Sequence, residues 1–213
     1  FMVTFEETGS ELIALLKESQ EIKIHQPIYN RSQRKSIFQW ALYSEVDAQG
    51  YINLKLQKAD GRKKEITAFT TFQEGKNALF RISAQYKLCQ KLNGIYNTNS
   101  NCFQYTIKEC NGACIGQESP ESYNQRVMEF INNHQFENKT MVIVSRGRNV
   151  NERSAVLIEN GIYKGYTFYD LNYQIRNIGI LKNILIPMHN NRDVRMIIQG
   201  QLRKDKHLKL IYF

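Results

Sequence analysis

The sequence predicts an α+β fold, and three observations carry that prediction. Apolar residues recur at helical spacing in separate stretches: Leu12, Leu15, Leu16 and Ile22; then Phe72, Ala78, Leu79, Ile82 and Tyr86; then Tyr123, Val127, Phe130 and Ile131. Between the first two stretches the period changes to two, with a turn at Asp47-Ala48-Gln49-Gly50. A second hairpin signal, Asn160-Gly161, lies far downstream. Helices and antiparallel hairpins thus occupy separate stretches and do not alternate as β-α-β units.

Taken in order, Phe1–Phe5 is β-favouring and short, and reads as the end of a strand. A helix follows, capped by Thr8 or Ser10 and ended by Pro27, which pushes the preceding residue out of the helical region. Strands are predicted over Ile37–Ser44, Tyr51–Gln57 and Glu65–Phe69, and a helix over Thr71–Leu88. Ser119-Pro120 opens another helix, with Ser at the N-cap and Pro at its first position. Strands are then predicted over Thr140–Arg146, Ser154–Glu159 and Ile162–Tyr169, helices over Ile175–Ile186 and Arg192–Leu202, and a last strand over Leu208–Phe213. Three segments result: 1–35, 36–134 and 135–213.

The chain has 213 residues, 42% of them hydrophobic, and its 29 Lys and Arg against 20 Asp and Glu give a net charge of +9. This composition excludes a disordered or fibrous chain. No apolar run reaches the length of a bilayer span, and no export signal opens the chain, so a cytoplasmic location and no membrane partner are expected. The positive balance favours a polyanionic partner, DNA first. Basic residues recur in small groups, including Arg31, Arg34 and Lys35. Phe38, Trp40, Tyr43 and Tyr51 could stack on bases but fit core and cross-strand positions better. The four histidines are dispersed, with no ligand spacing between them.

All four cysteines, Cys89, Cys102, Cys110 and Cys114, fall within 26 residues in the order C-x12-C-x7-C-x3-C. Thiolates this close usually share a metal or a disulfide framework. Gly112 allows a sharp turn between the last two. Four soft ligands suit zinc or an iron–sulfur cluster, although these spacings are not those of zinc fingers, and a reducing compartment disfavours disulfides.

The helix Thr8–Lys23, with its glutamate Glu18 and its exit Pro27-Ile28-Tyr29-Asn30, resembles the last helix of the GIY-YIG nuclease domain in UvrC- and Cho-type excinucleases. The segment Cys102–Cys114 and the following Glu118-Ser119-Pro120-Glu121-Ser122-Tyr123 resemble the Cys-rich stretch behind that domain; the interval from Cys89 departs slightly from the family pattern. Residues 140–213 look like the C-terminal part of a longer Bacteroidetes family in which a DNA polymerase III epsilon-like exonuclease domain comes first. The resemblance implies that Glu18 binds a divalent metal (Mg²⁺ or Mn²⁺) and that Asn30 lies near it. It also implies an iron–sulfur cluster on the four cysteines, with zinc as the alternative. The family's tyrosines and arginine precede the glutamate helix. Gly94-Ile95-Tyr96 and Gly161-Ile162-Tyr163 both follow Glu18, and neither continues to Tyr-Ile-Gly. The expectation is a C-terminal part of a DNA repair or processing nuclease, inactive alone and able to meet replication or repair proteins. The alternative is a non-catalytic DNA-binding or protein-interaction module organised by the cysteine site.

Overall fold

The computed structural model describes residues 3–29, 36–98, 100, 102–136, 139–172 and 177–213. They fall into two compact units: 38–135, and 1–37 together with 136–213. Helix-forming residues near the start of the chain are thus grouped with residues 136–213.

Unit 38–135 begins with β1 (Trp40–Val46), β2 (Ile52–Lys58) and β3 (Thr67–Phe69), in the antiparallel order β2-β1-β3. Asp47 shapes the β1–β2 turn by accepting from the amides of Gln49 and Tyr51. Helix α2 (Phe72–Gln85) is capped by the Thr71 hydroxyl. The short α3 (Phe103–Thr106) and a 3₁₀ turn (Ala113–Ile115) follow, then α4 (Pro120–His134), capped by the Ser119 hydroxyl with Pro120 in its first turn. Leu42, Leu54 and Phe69 of the sheet form one core with Ala78, Leu79 and Ile82 of α2 and with Tyr123, Val127 and Phe130 of α4. Three of the four cysteines are buried in that core. Phe38, Tyr43 and Tyr51 are buried, and Trp40 meets Phe72 edge to face at 4.8 Å. These aromatics are therefore packing residues.

Strand β2 lies at a sheet edge, where unpaired amides invite pairing with other chains. Here side chains cover it. Asn124 Oδ1 accepts from the Ile52 amide at 2.7 Å, and Asn93 Oδ1 accepts from the Leu54 amide at 2.9 Å. Lys55 Nζ donates to the Leu92 carbonyl at 2.7 Å. The loop that bears Cys89 is thereby fixed to the sheet.

The second unit contains α1 (Glu11–His25), β4 (Met141–Arg146), β5 (Glu152–Glu159), β6 (Ile162–Asp170), α5 (Ile178–Asn183), β7 (Ile186–Pro187), α6 (Arg192–Lys204) and β8 (Lys209–Tyr212). Its antiparallel sheet runs β7-β6-β5-β4-β8. Asn160 and Gly161 both have positive φ, 50° and 76°, as the predicted type I′ turn requires. Leu181 of α5 covers Val142, Val144, Ala155 and Leu157 on one face. Lys17 of α1 bonds Tyr166, which points to the opposite face.

Ser10, not Thr8, caps α1, and the helix ends at His25 with Gln26 left-handed (φ 44°), before Pro27. Lys23 on its last turn reaches Asp193 Oδ2 (2.7 Å) and Asn191 Oδ1 (3.1 Å) at the start of α6. Ser36 donates to Asp193 Oδ1 at 2.6 Å. Two expected elements differ. Val3–Phe5 forms no strand; Val3 and Phe5 are exposed and no strand pairs with them among the described residues, while Phe1 and Met2 lie outside those residues. The helix expected over Ile175–Ile186 is confined to Ile178–Asn183, because Asn177 caps it late and Ile186 pairs with Tyr166 as a strand.

Candidate metal centre

Each cysteine is placed by local backbone that its neighbours dictate. After α2 the chain turns at Lys87, which has positive φ, and sets Cys89 in the core. Cys102 occupies the N-cap of α3, so its side chain points inward as the helix starts. Cys110 and Cys114 flank a left-handed Gly112 (φ 84°). A Cβ at Gly112 would lie 2.8 Å from the Tyr105 ring, so only glycine fits this close turn.

Of the four predicted cysteines, Cys89, Cys102 and Cys114 come together, and Cys110 lies beside Cys102. Cys89 Sγ lies 3.9 Å from Cys102 Sγ, and Cys102 Sγ lies 3.3 Å from Cys110 Sγ. The sulfurs of Cys89, Cys102 and Cys114 all fall within 4.8 Å of one another. No disulfide joins them. Cys89, Cys102 and Cys110 are buried, whereas Cys114 is half-exposed and forms the site's outer side.

The electrostatics are uneven. Burial pushes the Cys89 thiol well above its ordinary range and the Cys110 thiol up to about 12. Burial opposes ionisation of Cys102 too, but bonds from Cys110, Cys114, Cys89 and the Tyr105 amide outweigh it and hold that thiol low. Backbone amides reach three of the sulfurs: Leu92 to Cys89, Tyr105 to Cys102 and Gly112 to Cys110. Such backbone donors stabilise thiolates and orient them as ligands. A cation among the sulfurs would favour the thiolate throughout.

Cys89, Cys102 and Cys114 could hold a metal ion. For a single tetrahedral ion, metal–sulfur bonds of about 2.3 Å place the sulfurs about 3.8 Å apart, close to the separations here. Cys114 belongs to the close set with Cys89 and Cys102, whereas Cys110 approaches through Cys102.

Sequence reasoning missed the polar frame beneath this centre. Glu118 is buried, and Arg126 binds both of its carboxylate oxygens. Asn111 and Ser122 donate to Glu118 Oε1, and Tyr51 donates to its backbone carbonyl at 2.6 Å. Burial alone would raise this carboxyl, but Arg126, with Asn111 and Ser122, holds it below the ordinary range. A Glu-x7-Arg pair across a helix start was a visible signal, although nothing in the sequence marked Glu118 as buried.

Of the other predicted site residues, Glu18 lies in the other unit. Glu18 is exposed on α1, without a hydrogen bond or ion pair among the described residues. Asn30, Arg31, Arg34 and Lys35 lie outside the described residues. No helix is long and apolar enough to cross a membrane among the described residues.

A family model described as the UvrC/Cho excinuclease middle domain matches residues 40–133. Excinuclease cho of Escherichia coli K12 is 29% identical over 124 residues, covering 57% of this chain and 42% of that protein. Excinuclease cho of Salmonella typhimurium is 26% identical over 122 residues, covering 56% and 42%. The UvrABC system protein C of Acinetobacter baumannii is 27% identical over 124 residues, covering 56% and 20%. The chain thus spans less than half the length of these curated relatives. No solved structure matches. The matched segment contains both hairpin strands, all four cysteines and the Glu118–Arg126 pair, and residues 40–133 of this chain are similar to the UvrC/Cho excinuclease middle domain.

Proposed function

We propose that this chain is part of a DNA repair or DNA-processing protein related to the UvrC-type endonucleases, with residues 40–133 as a middle domain built around a four-thiolate metal centre. The observation that supports this reading is the close approach of Cys89, Cys102 and Cys114 inside the matched segment, with Cys110 beside Cys102. Cys89, Cys102, Cys110 and Cys114 would hold the centre, and its role is to tie the segment after α2 to the start of α3 and to the 3₁₀ turn. Resemblance favours an iron–sulfur cluster; the short sulfur separations favour a single zinc ion as the second reading.

The reading extends to α1. Its Glu18 presents a hard, solvent-facing carboxylate, the ligand type that Mg²⁺ or Mn²⁺ takes in phosphodiester cleavage. Such an ion neutralises charge on the scissile phosphate when bound. Asn30 is the companion residue that the resemblance assigns. The chain by itself is proposed to be inactive. Neither Gly-Ile-Tyr supplies a usable tyrosine: Tyr163 is buried in β6, and the Tyr96 hydroxyl accepts from the Phe103 amide at 2.6 Å. Association with a DNA polymerase III epsilon-like exonuclease, and with repair or replication proteins, belongs to the same proposal.

The test is Mg²⁺-dependent nicking of DNA by a longer protein that includes the preceding nuclease residues. Glu18→Ala is expected to abolish nicking while leaving the metal content of the cysteine site unchanged. Nicking by Glu18→Ala at the parent rate would remove Glu18 from the reaction.

A further inference from the structure

Residues 136–213 lie outside the matched segment, yet they hold 13 of the 29 Lys and Arg and only 6 of the 20 Asp and Glu. That gives them a net charge of +7 out of the chain's +9. The sheet gathers part of this charge. Arg146 of β4 is directly opposite Arg153 of β5, and Arg153 is directly opposite Tyr169 of β6. Directly opposed residues share a face, so these three side chains form one cross-strand row. In the next row Lys209 of β8 is opposite Val144, on the same face.

Two arginines placed directly opposite each other repel and cost stability, and the fold does nothing to offset that here. Among the described residues, no ion pair involves Arg146, Arg153 or Lys209. The Arg153 guanidinium donates only to the backbone carbonyl of Glu152, at 3.1 Å. Glu152 and Asp170 are themselves paired across β5 and β6, but their side chains alternate to the opposite face. There Arg148 binds Glu152. The apolar part of the basic face is covered, because Leu181 packs on Val142, Val144, Ala155 and Leu157, and Thr167 donates to the Ile184 carbonyl at 2.7 Å. The Arg146–Arg153–Tyr169 row lies at the edge of that cover: Tyr169 packs partly against the same cluster, Arg146 and Lys209 are exposed, and Arg153 and Tyr169 half-exposed.

We propose that the Arg146–Arg153–Tyr169 row, with Lys209, is a binding surface for single-stranded DNA. Guanidinium groups pair with phosphate oxygens and also stack on bases. Cationic side chains next to an aromatic ring on an open sheet suit a strand whose bases are free to stack, which a duplex does not offer. The choice of DNA as the polyanion rests on the proposed function above; the location of the surface does not.

The experiment compares the 213-residue protein with a triple variant, Arg146→Ala, Arg153→Ala and Lys209→Ala. Binding of a fluorescent single-stranded oligonucleotide is followed by anisotropy over a range of salt, with a duplex of the same sequence as competitor. Circular dichroism confirms that the variant folds, and removing the opposed charges should not lower its melting temperature. A charge-matched control carries Lys76→Ala, Arg81→Ala and Lys87→Ala. The expected result is at least a tenfold loss of affinity in the first variant, with the slope of log affinity against log salt shallower by about 2. The control is expected to bind as the parent does, and the single strand to bind more tightly than the duplex. Parent-like binding by the first variant, an equal loss in the control, or preference for the duplex would overturn the surface alone. If the parent binds no DNA, the DNA reading of the chain fails and this inference fails with it.

Discussion

Arg126 binds both carboxylate oxygens of Glu118, and Glu118 is buried four residues beyond the last cysteine. The pair ties the exit of the cysteine segment to helix α4. Removing one partner of a buried pair leaves the other desolvated and unmatched. Arg126→Ala is therefore expected to lower the unfolding free energy by about 3 kcal/mol in urea titration, while Ser122→Ala, which removes only a side bond to Glu118, costs about 1 kcal/mol.

The same pair sets an acid limit. Because the Glu118 carboxyl is held below its ordinary range in the fold, its stabilising contribution is complete above the unfolded value of about 4.3. It is lost as pH falls through the lower, folded value. Thermal melts of the parent are expected to decline more steeply below about pH 4 than those of Glu118→Gln, which begins less stable and has no carboxyl to protonate. Parallel acid curves would contradict the assignment.

Cys102 is the centre of the quartet, since it touches both Cys89 and Cys110. Cys102→Ser is expected to abolish metal retention and to destabilise the protein by more than about 3 kcal/mol, because binding energy at a structural site is folding energy. Cys114→Ser, at the half-exposed ligand, should retain metal more weakly. Metal analysis after gel filtration, together with melting curves, checks the order of the two variants.

Gly112→Ala tests the turn. It forces a side chain onto a left-handed residue and against the Tyr105 ring. The expected cost is about 1–3 kcal/mol, with faster metal loss to a chelator.

Asn93→Ala tests the edge of the sheet. It removes the acceptor for the Leu54 amide and leaves that buried donor unpaired, at a cost of about 1–3 kcal/mol. Hydrogen exchange at Leu54 should accelerate more than exchange at Leu42, which lies in the central strand.

Most of this architecture was legible because it is written in local chemistry. Ser10, Thr71 and Ser119 cap the helices they precede, and Asn160-Gly161 forms the hairpin its φ preferences demand. The clustering of the cysteines showed in their spacing. What escaped the sequence is non-local. Asn93 and Asn124 read as loop and helix polar residues, and their work at the β2 edge depends on contacts 39 and 72 residues away. The folding of α1 with residues 136–213 rests partly on Lys23 reaching Asp193 across 170 positions, which no local pattern encodes. The Arg146–Arg153–Tyr169 row existed only once register was known. Strand propensity at Val3–Phe5 misled because a strand also needs a neighbour.

The central claim is that the four cysteines hold one metal centre. Elemental analysis of anaerobically purified protein, with its absorption spectrum and a thiol titration under native conditions, tests it most directly. The account predicts stoichiometric metal and no thiols reactive without denaturation. Iron with a broad visible band would identify a cluster, and zinc without one a single ion. Reactive native thiols in a folded protein that holds neither metal would contradict it.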